Sequence, residues 1–278
     1  ASGNVYIADT ENHRIRKVDT NGNISTFAGT GTEGYSGDGG AATSAKLNSS
    51  EYIIIQNNYY YIADYGNNRI RKIDSTGVIT TIVGRDIYNG DNILASTARI
   101  RLPRNMWMDK NDNLYFAEQK ANRIRKIDSN GVITTVAGTG EAGLSGDGGL
   151  ATSAKINDPR GVTGDNAGNL YISDRGNSLI RKVDTNGIIS TFAGTAGTVG
   201  FSGDGGAATS AKLSFPYALT MNGGNLYFAE IYNYVIRKID ANGVISTVAG
   251  QGEQSDFSGD GGAATSAKLS NPGGVNFD

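Results

Sequence analysis

The chain has 278 residues, with 25 Lys and Arg against 27 Asp and Glu, one His, no Cys and 40 Gly. A net charge of −2 supplies no cationic surplus for a phosphate backbone, so nucleic acid is not an expected partner. The lack of Cys excludes disulfides and thiolate metal sites, and no apolar run approaches the roughly 18 residues of a membrane span, so no membrane insertion is expected.

The first element in the chain, Asn4 to Asp9, reads as a strand with the apolar run Val5-Tyr6-Ile7-Ala8. A polar turn with the lone His13 follows, then Ile15-Arg16-Lys17-Val18-Asp19, an Asn21-Gly22 turn and another short apolar run. The sequence Ile-Arg-Lys, then Val or Ile, then Asp recurs at 15–19, 70–74, 124–128, 180–184 and 236–240, a period of about 55 residues in five copies. Pro103, Pro159, Pro216 and Pro272 share one phase of this repeat, and Ser50 takes that phase in the remaining copy.

One complete unit contains four runs of strand length: Arg160–Asp165, Asn169–Asp174, Leu179–Asp184 and Ile188–Gly194. Asx-Gly or Thr-Gly recurs at the third turn, in Asn21-Gly22, Thr76-Gly77, Asn130-Gly131, Asn186-Gly187 and Asn242-Gly243, where tight turns favour residues tolerant of positive φ. Each unit is therefore expected to be a four-stranded antiparallel meander. Its second strand is apolar at every position instead of alternating, so both faces should be buried between neighbouring sheets.

Between units lies Tyr35-Ser36-Gly37-Asp38-Gly39-Gly40 followed by Ala-Ala-Thr-Ser-Ala-Lys-Leu, with copies at 144–156, 201–213 and 257–269. This predicts a turn and one short helix, with the Asp capping its first amides. The second unit differs: Tyr88-Asn89-Gly90-Asp91-Asn92 keeps Gly-Asp without the double Gly, which predicts a different loop. At the end of the chain, Gly274 to Asp278 reads as a first strand lacking its followers, while Asn4 to Asp9 reads as a second strand lacking its predecessor. The expected fold class is all-β: a single domain over 1–278, a five-bladed β-propeller of four-stranded antiparallel blades. The C-terminal strand is expected to pair with the N-terminal blade and close it.

The combination Gly-Asn-Val-Tyr-Ile-Ala-Asp, then Asn-His-Arg-Ile-Arg-Lys-Val-Asp, then Pro-x-Gly-Val resembles the NHL-repeat β-propeller family. The Ser-Gly-Asp-Gly-Gly-Ala-Ala-Thr-Ser-Ala-Lys-Leu spacer is similar to that of its extended bacterial and cell-surface members. The resemblance covers the whole chain, although the family is most often six-bladed and this chain holds five units. It implies an extracellular or cell-surface placement and flanking domains of a larger chain. Asn23-Ile24-Ser25 and Asn48-Ser49-Ser50 are glycosylation sequons that fit such a placement.

A residue type recurring at one phase in all five units is expected to build a blade, whereas a ligand site needs different groups on different blades. The repeated Arg-Lys pairs and the strand-end carboxylates Asp9, Asp64, Glu118, Asp174 and Glu230 therefore read as scaffold. His13 reads as a surface turn residue, and Trp107 as core. Each Gly-Asp-Gly-Gly loop holds one carboxylate, which favours capping over calcium binding.

The variable residues fall at the start of the innermost strand and in the turn after the second strand. There the sequence singles out Glu51, Tyr52, Tyr65, Arg104, Asn105, Lys120, Arg160, Arg175, Tyr217 and Tyr232 as a ligand-binding set at the channel mouth. Arg and Tyr suit a hydrogen-bonding and stacking surface. The expected function is a non-catalytic scaffold for a protein or glycan, without cofactor or metal. The alternative is a hydrolase resembling calcium-dependent lactonases and esterases, in which Glu51 and Asn105 would supply part of a cation site.

Overall fold

The computed structural model describes residues 3–84, 90–252 and 255–277. Ala1, Asp278 and the loop residues Tyr88 and Asn89 lie outside the described residues. The chain divides into two compact units: residues through Ala121 with Arg125–Thr135, and Asn122–Ile124 with Val136–Phe277.

The fourth blade shows the repeat in full. Its strands β13 (Gly161–Gly164), β14 (Leu170–Asp174), β15 (Leu179–Val183) and β16 (Ile189–Ala193) form one antiparallel sheet in chain order. These bounds lie within one residue or two of the runs read from sequence, because the Asx-Gly turns and the apolar runs are both local signals. The fifth blade, β17 (Pro216–Asn222) to β20 (Ile245–Ala249), repeats the order, as does the second, β4 (Tyr52–Gln56) to β7 (Ile79–Val83). The third adds a two-residue strand, β8 (Ile93–Leu94), outside its meander β9 (Pro103–Met108) to β12 (Val132–Ala137). The fold class is a five-bladed β-propeller. Every residue of β14 is buried, the polar Ser173 and Asp174 at its end included, so both of its faces are covered.

Core residues lie between consecutive sheets of each unit. Ile15, Leu47, Ile62, Ile73 and Ile79 pack between the first and second blades. Ile70, Ile100, Met106, Phe116 and Ile133 pack between the second and third. In the other unit, Ile180, Leu213, Leu219, Phe228 and Ile245 fill the space between the fourth and fifth. A fully buried side chain such as Phe228 contributes about 1.5–3 kcal/mol. Trp107 is only half-buried, its ring 5.3 Å from that of Tyr115.

The first blade corrects one expectation. Its sheet contains β1 (Val5–Asp9), β2 (Arg14–Val18) and β3 (Ile24–Ala28) and no fourth strand among the described residues. Residues 271–277 adopt no strand. Instead a Cβ on Gly274 would meet Ala218 at 3.2 Å, and the Phe277 ring sits 4.6 Å from Tyr227. Val5 and Ile7 are 57% and 41% exposed.

The spacer corrects a second. Its helical part is one 3-10 turn, at Ala42–Ser44, Ala95–Thr97, Ala151–Ser153, Ala208–Ser210 and Ala264–Ser266. The turn does not propagate because the next residue, Ala45, Ala98, Ala154, Ala211 or Ala267, is extended with ψ of 146–154°, while its otherwise orphaned first amide is satisfied by the next blade: Ala42, Ala95, Ala151 and Ala208 donate to the carbonyls of Gly77, Gly131, Gly187 and Gly243 at 2.8–2.9 Å. The preceding Ala41, Leu150 and Ala207 provide no side-chain cap, so the loop aspartates do not cap. The second-unit loop keeps the role of the others despite its altered sequence, since Asp91 still reaches Arg125 at 2.9 Å.

His13 is not a bare surface residue either. The residue before the Pro phase in four units, Ser49, Leu102, Asp158 and Phe215, has φ between 47° and 51°, and its amide is held by a side chain from the preceding blade. The acceptors are His13 Nδ1 (3.2 Å), Asn68 Oδ1 (2.8 Å), Asn122 Oδ1 (3.0 Å) and Ser178 Oγ (3.4 Å). His13→Ala should therefore cost about 1 kcal/mol, the net value of one hydrogen bond. His13→Asn, which installs the acceptor used twice elsewhere, should melt with the parent; equal losses in both variants would refute this role.

Candidate functional site

Recurring charges come first, because they decide what remains for binding. In four blades the Arg of Ile-Arg-Lys is buried between two carboxylates. Arg71 contacts Asp64 at 3.4 Å and Asp38 at 2.7 Å; Arg125 contacts Glu118 at 3.1 Å and Asp91 at 2.9 Å. Arg181 joins Asp174 and Asp147, and Arg237 joins Glu230 and Asp204. Arg71, Arg181 and Arg237 are 0% exposed. The spacer Asp thus reaches a blade 33 or 34 residues further on, where Thr191 and Thr247 also donate to Asp147 and Asp204. Such a charge survives burial only because partners surround it.

The inner carboxylates also fasten the entry to each innermost strand. They accept the backbone amides of Asn48, Arg101, Asn157 and Ser214 at 2.7–2.9 Å. Burial pushes Asp174 up to about 6 and Glu230 up to about 7, against the opposing pull of the arginines and hydrogen-bond donors. For Asp147 and Asp204 burial also opposes charge, but threonine and arginine donors outweigh it and hold both below the ordinary range. Because the fold raises its affinity for a proton, Glu230 contributes stability in full below its ordinary 4.5, and this is lost as pH rises through about 7. Carboxyl carbon shifts followed by NMR should titrate near 7 for Glu230 and near 6 for Asp174. Midpoints near 4 for both would contradict the burial account.

The variable residues separate into two groups. In the first unit, Arg104 is enclosed: Glu51 pairs with it, Gln119 Oε1 accepts from its Nε at 2.8 Å, and the Tyr65 ring lies 3.7 Å beneath it. Only 7% of its side chain is exposed. Asn105 is buried, and Tyr52 packs against the core between the second and third blades. Lys120 is exposed on the turn after β10 (Leu114–Glu118).

In the second unit, Arg160 and Arg175 both engage Asp158, the former at 3.4 Å. Arg160 also donates to the Tyr217 hydroxyl at 3.3 Å and lies 5.3 Å from that ring. The Arg175 guanidinium lies 5.0 Å from the Phe215 ring, which packs edge-on at 5.1 Å against Tyr232. Tyr232 is 52% exposed. Two guanidinium groups share one carboxylate, so this cluster carries a surplus positive charge beside three aromatic rings.

Asp158 and Phe215 escaped the sequence reading, whereas Gln119 stands beside Lys120 in the variable turn after the second strand without having been singled out. Asp158 and Phe215 stand one residue before the Pro phase, where the five units carry Ser49, Leu102, Asp158, Phe215 and Asn271. That variability was visible in the sequence, and all five residues share a positive φ. Among the described residues, no three His, Cys, Asp or Glu side chains gather as a metal-holding group, and no helix is long and apolar enough to cross a membrane.

The repeat, the meanders and this distribution of conserved-phase and variable residues define an NHL-type propeller. The family model of the teneurin NHL domain matches residues 139–202. Teneurin-1 of Gallus gallus is 29% identical over 283 residues, covering 87% of this chain and 10% of that protein. Protein SUPPRESSOR OF QUENCHING 1, chloroplastic, of Arabidopsis thaliana is 31% identical over 255 residues, covering 86% of this chain and 24% of its own length. The chain thus spans about a tenth of the teneurins it matches. Among solved structures, an auxiliary nutrient binding protein from Bacteroides thetaiotaomicron superposes with a TM-score of 0.67 at 16% identity, over 97% of this chain and 60% of that one. A catalytically inactive virginiamycin B lyase from Staphylococcus aureus gives 0.55 at 19% identity, over 89% and 66%. These likenesses show the fold. With the five repeats, the teneurin matches support an NHL-repeat β-propeller.

Proposed function

We propose that the chain is a non-catalytic binding scaffold, taking a protein or glycan ligand with an acidic group at the Arg160–Arg175 cluster. The carrying observation is the sharing of Asp158 by two guanidinium groups, which leaves cationic hydrogen-bonding capacity beside Tyr217 and the exposed Tyr232. Guanidinium forks suit carboxylate or sulfate groups, and a tyrosine ring stacks on a sugar or an aliphatic side chain. Arg104 belongs to this reading as a support for its own blade, since Glu51, Gln119 and Tyr65 already enclose it. The same enclosure weighs against the calcium-dependent hydrolase, which would need Glu51 and Asn105 for its cation. The matches to teneurins are in keeping with an interaction module set among flanking domains of a longer chain outside the cell.

The test is a protein and glycan array screened with the full chain and with the R160A/R175A variant. A partner of the parent should bind the variant at least 2 kcal/mol more weakly, the hot-spot scale, with melting unchanged. Equal binding by both would exclude this cluster as the site.

A further inference from the structure

The third blade is where the chain departs from its own repeat, and the departures meet in one cleft. In the second and fourth blades, the turn after the second strand carries Gly66 and Gly176. Their amides donate to the carbonyls of Asn48 and Asn157 at 2.9 and 2.8 Å. The approach is so close that a Cβ on either glycine would lie 2.4–2.5 Å from the Asn side chain. The third blade places Lys120 and Arg101 at these two positions. Two long cations cannot reproduce that contact, and the backbone closes one step away, through the Gln119 amide and the Leu102 carbonyl at 3.3 Å. Ala121 also replaces the Asn67 and Asn177 whose side chains tie the turn to the carbonyls of Gly34 and Gly143.

What remains is a cleft of about 350 Å³ lined by Asn68, Arg99, Ile100, Arg101, Leu102 and Lys120. It has three cations and no carboxylate in its lining, and none of the three forms an ion pair with a described residue. Asn68 accepts the Leu102 amide through Oδ1, which leaves its Nδ2 hydrogens as donors. Ile100, 1% exposed, supplies an apolar floor.

We infer that this cleft binds a tetrahedral oxyanion, sulfate or phosphate, free or as an ester on a sugar. Three positive groups from two chain segments match an anion whose charge is spread over several oxygens, and Arg forks add directional hydrogen bonds. A net charge of −2 over the whole chain gives no extended cationic surface for a polyanion, so a small anion is the natural match. This inference does not rest on the Arg160 cluster.

Isothermal titration at low ionic strength of the full chain with sodium sulfate, sodium phosphate and a sulfated disaccharide tests the assignment. The comparison is R101N/K120G, which restores the residues of the second and fourth blades and should melt with the parent. At least one probe should bind saturably, at least tenfold more weakly to the variant, and more weakly to both as salt rises. Tighter binding of the disaccharide than of free sulfate would support the ester form; equal or tighter binding of a free anion would support the free form. Absence of saturable binding for all three probes, or binding that the variant keeps within twofold, overturns the site. If the double variant melts early, R101Q alone serves, with the same tenfold and twofold limits.

Discussion

Asp64→Ala should cost about 3–5 kcal/mol, a large share of the 5–15 usual for a domain. The carboxylate is 0% exposed and accepts from the Asn48 amide at 2.8 Å, Asn67 Nδ2 at 2.8 Å and Arg71 at 3.4 Å. Its removal leaves Arg71 buried with Asp38 as its remaining carboxylate, and orphans the amide that fastens the entry to the innermost strand. The first blade supplies the control. Asp9 occupies the same phase but is 24% exposed, and its pair with Arg16 spans 3.6 Å. Asp9→Ala should lose no more than about 1 kcal/mol, as exposed ion pairs do. Urea unfolding of both variants measures the difference, and equal losses would refute the burial argument.

Gly84→Ala should be comparably severe. Gly84 has φ of 111°, and a Cβ there would lie 2.2 Å from the Asn68 carbonyl oxygen and 2.8 Å from Arg69 Cα. Both obstacles are backbone, so the blade itself must shift. Gly77, with φ of 84°, meets nothing within 4 Å and isolates the conformational term. Gly77→Ala should cost about 1–2 kcal/mol for the left-handed backbone alone, and Gly84→Ala about 3 kcal/mol or more once overlap is added. Melting curves that place the two variants together would show that the close approach at Gly84 carries no energy.

The blades were legible because their signals are local. Asn186-Gly187 and its copies mark hairpins within a few residues, and the apolar stretch Leu170-Tyr171-Ile172 of β14 reports burial on both faces. Contacts between repeats were not legible. The Gly-Asp-Gly-Gly aspartates suggested caps for the adjacent turn, yet Asp38 serves Arg71, 33 residues away. Sequence proximity favoured the wrong partner, since nothing in a repeat pattern states how neighbouring sheets are placed. The same limit applies to Arg104, whose enclosure depends on Glu51 from one blade and Gln119 from another turn. It applies to His13 too, which as the only histidine looked idle until Ser49 was placed beside it. Arg160 and Tyr217 were correctly read as neighbours, because their shared phase on successive blades carries geometric information. Their acidic partner Asp158 stood one residue outside the phases that were compared.

The proposed function divides recurring residues, which build the blades, from variable ones, which serve a ligand. Equilibrium urea unfolding of Arg181→Met against Arg160→Met examines this division within a single blade and a single residue type. Arg181 recurs in all five units and is 0% exposed between Asp174 and Asp147, whereas Arg160 varies and has 13% of its side chain exposed. The account predicts a loss of about 3–5 kcal/mol for Arg181→Met and of no more than about 1 kcal/mol for Arg160→Met. Losses of equal size, or a larger loss at Arg160, would contradict it.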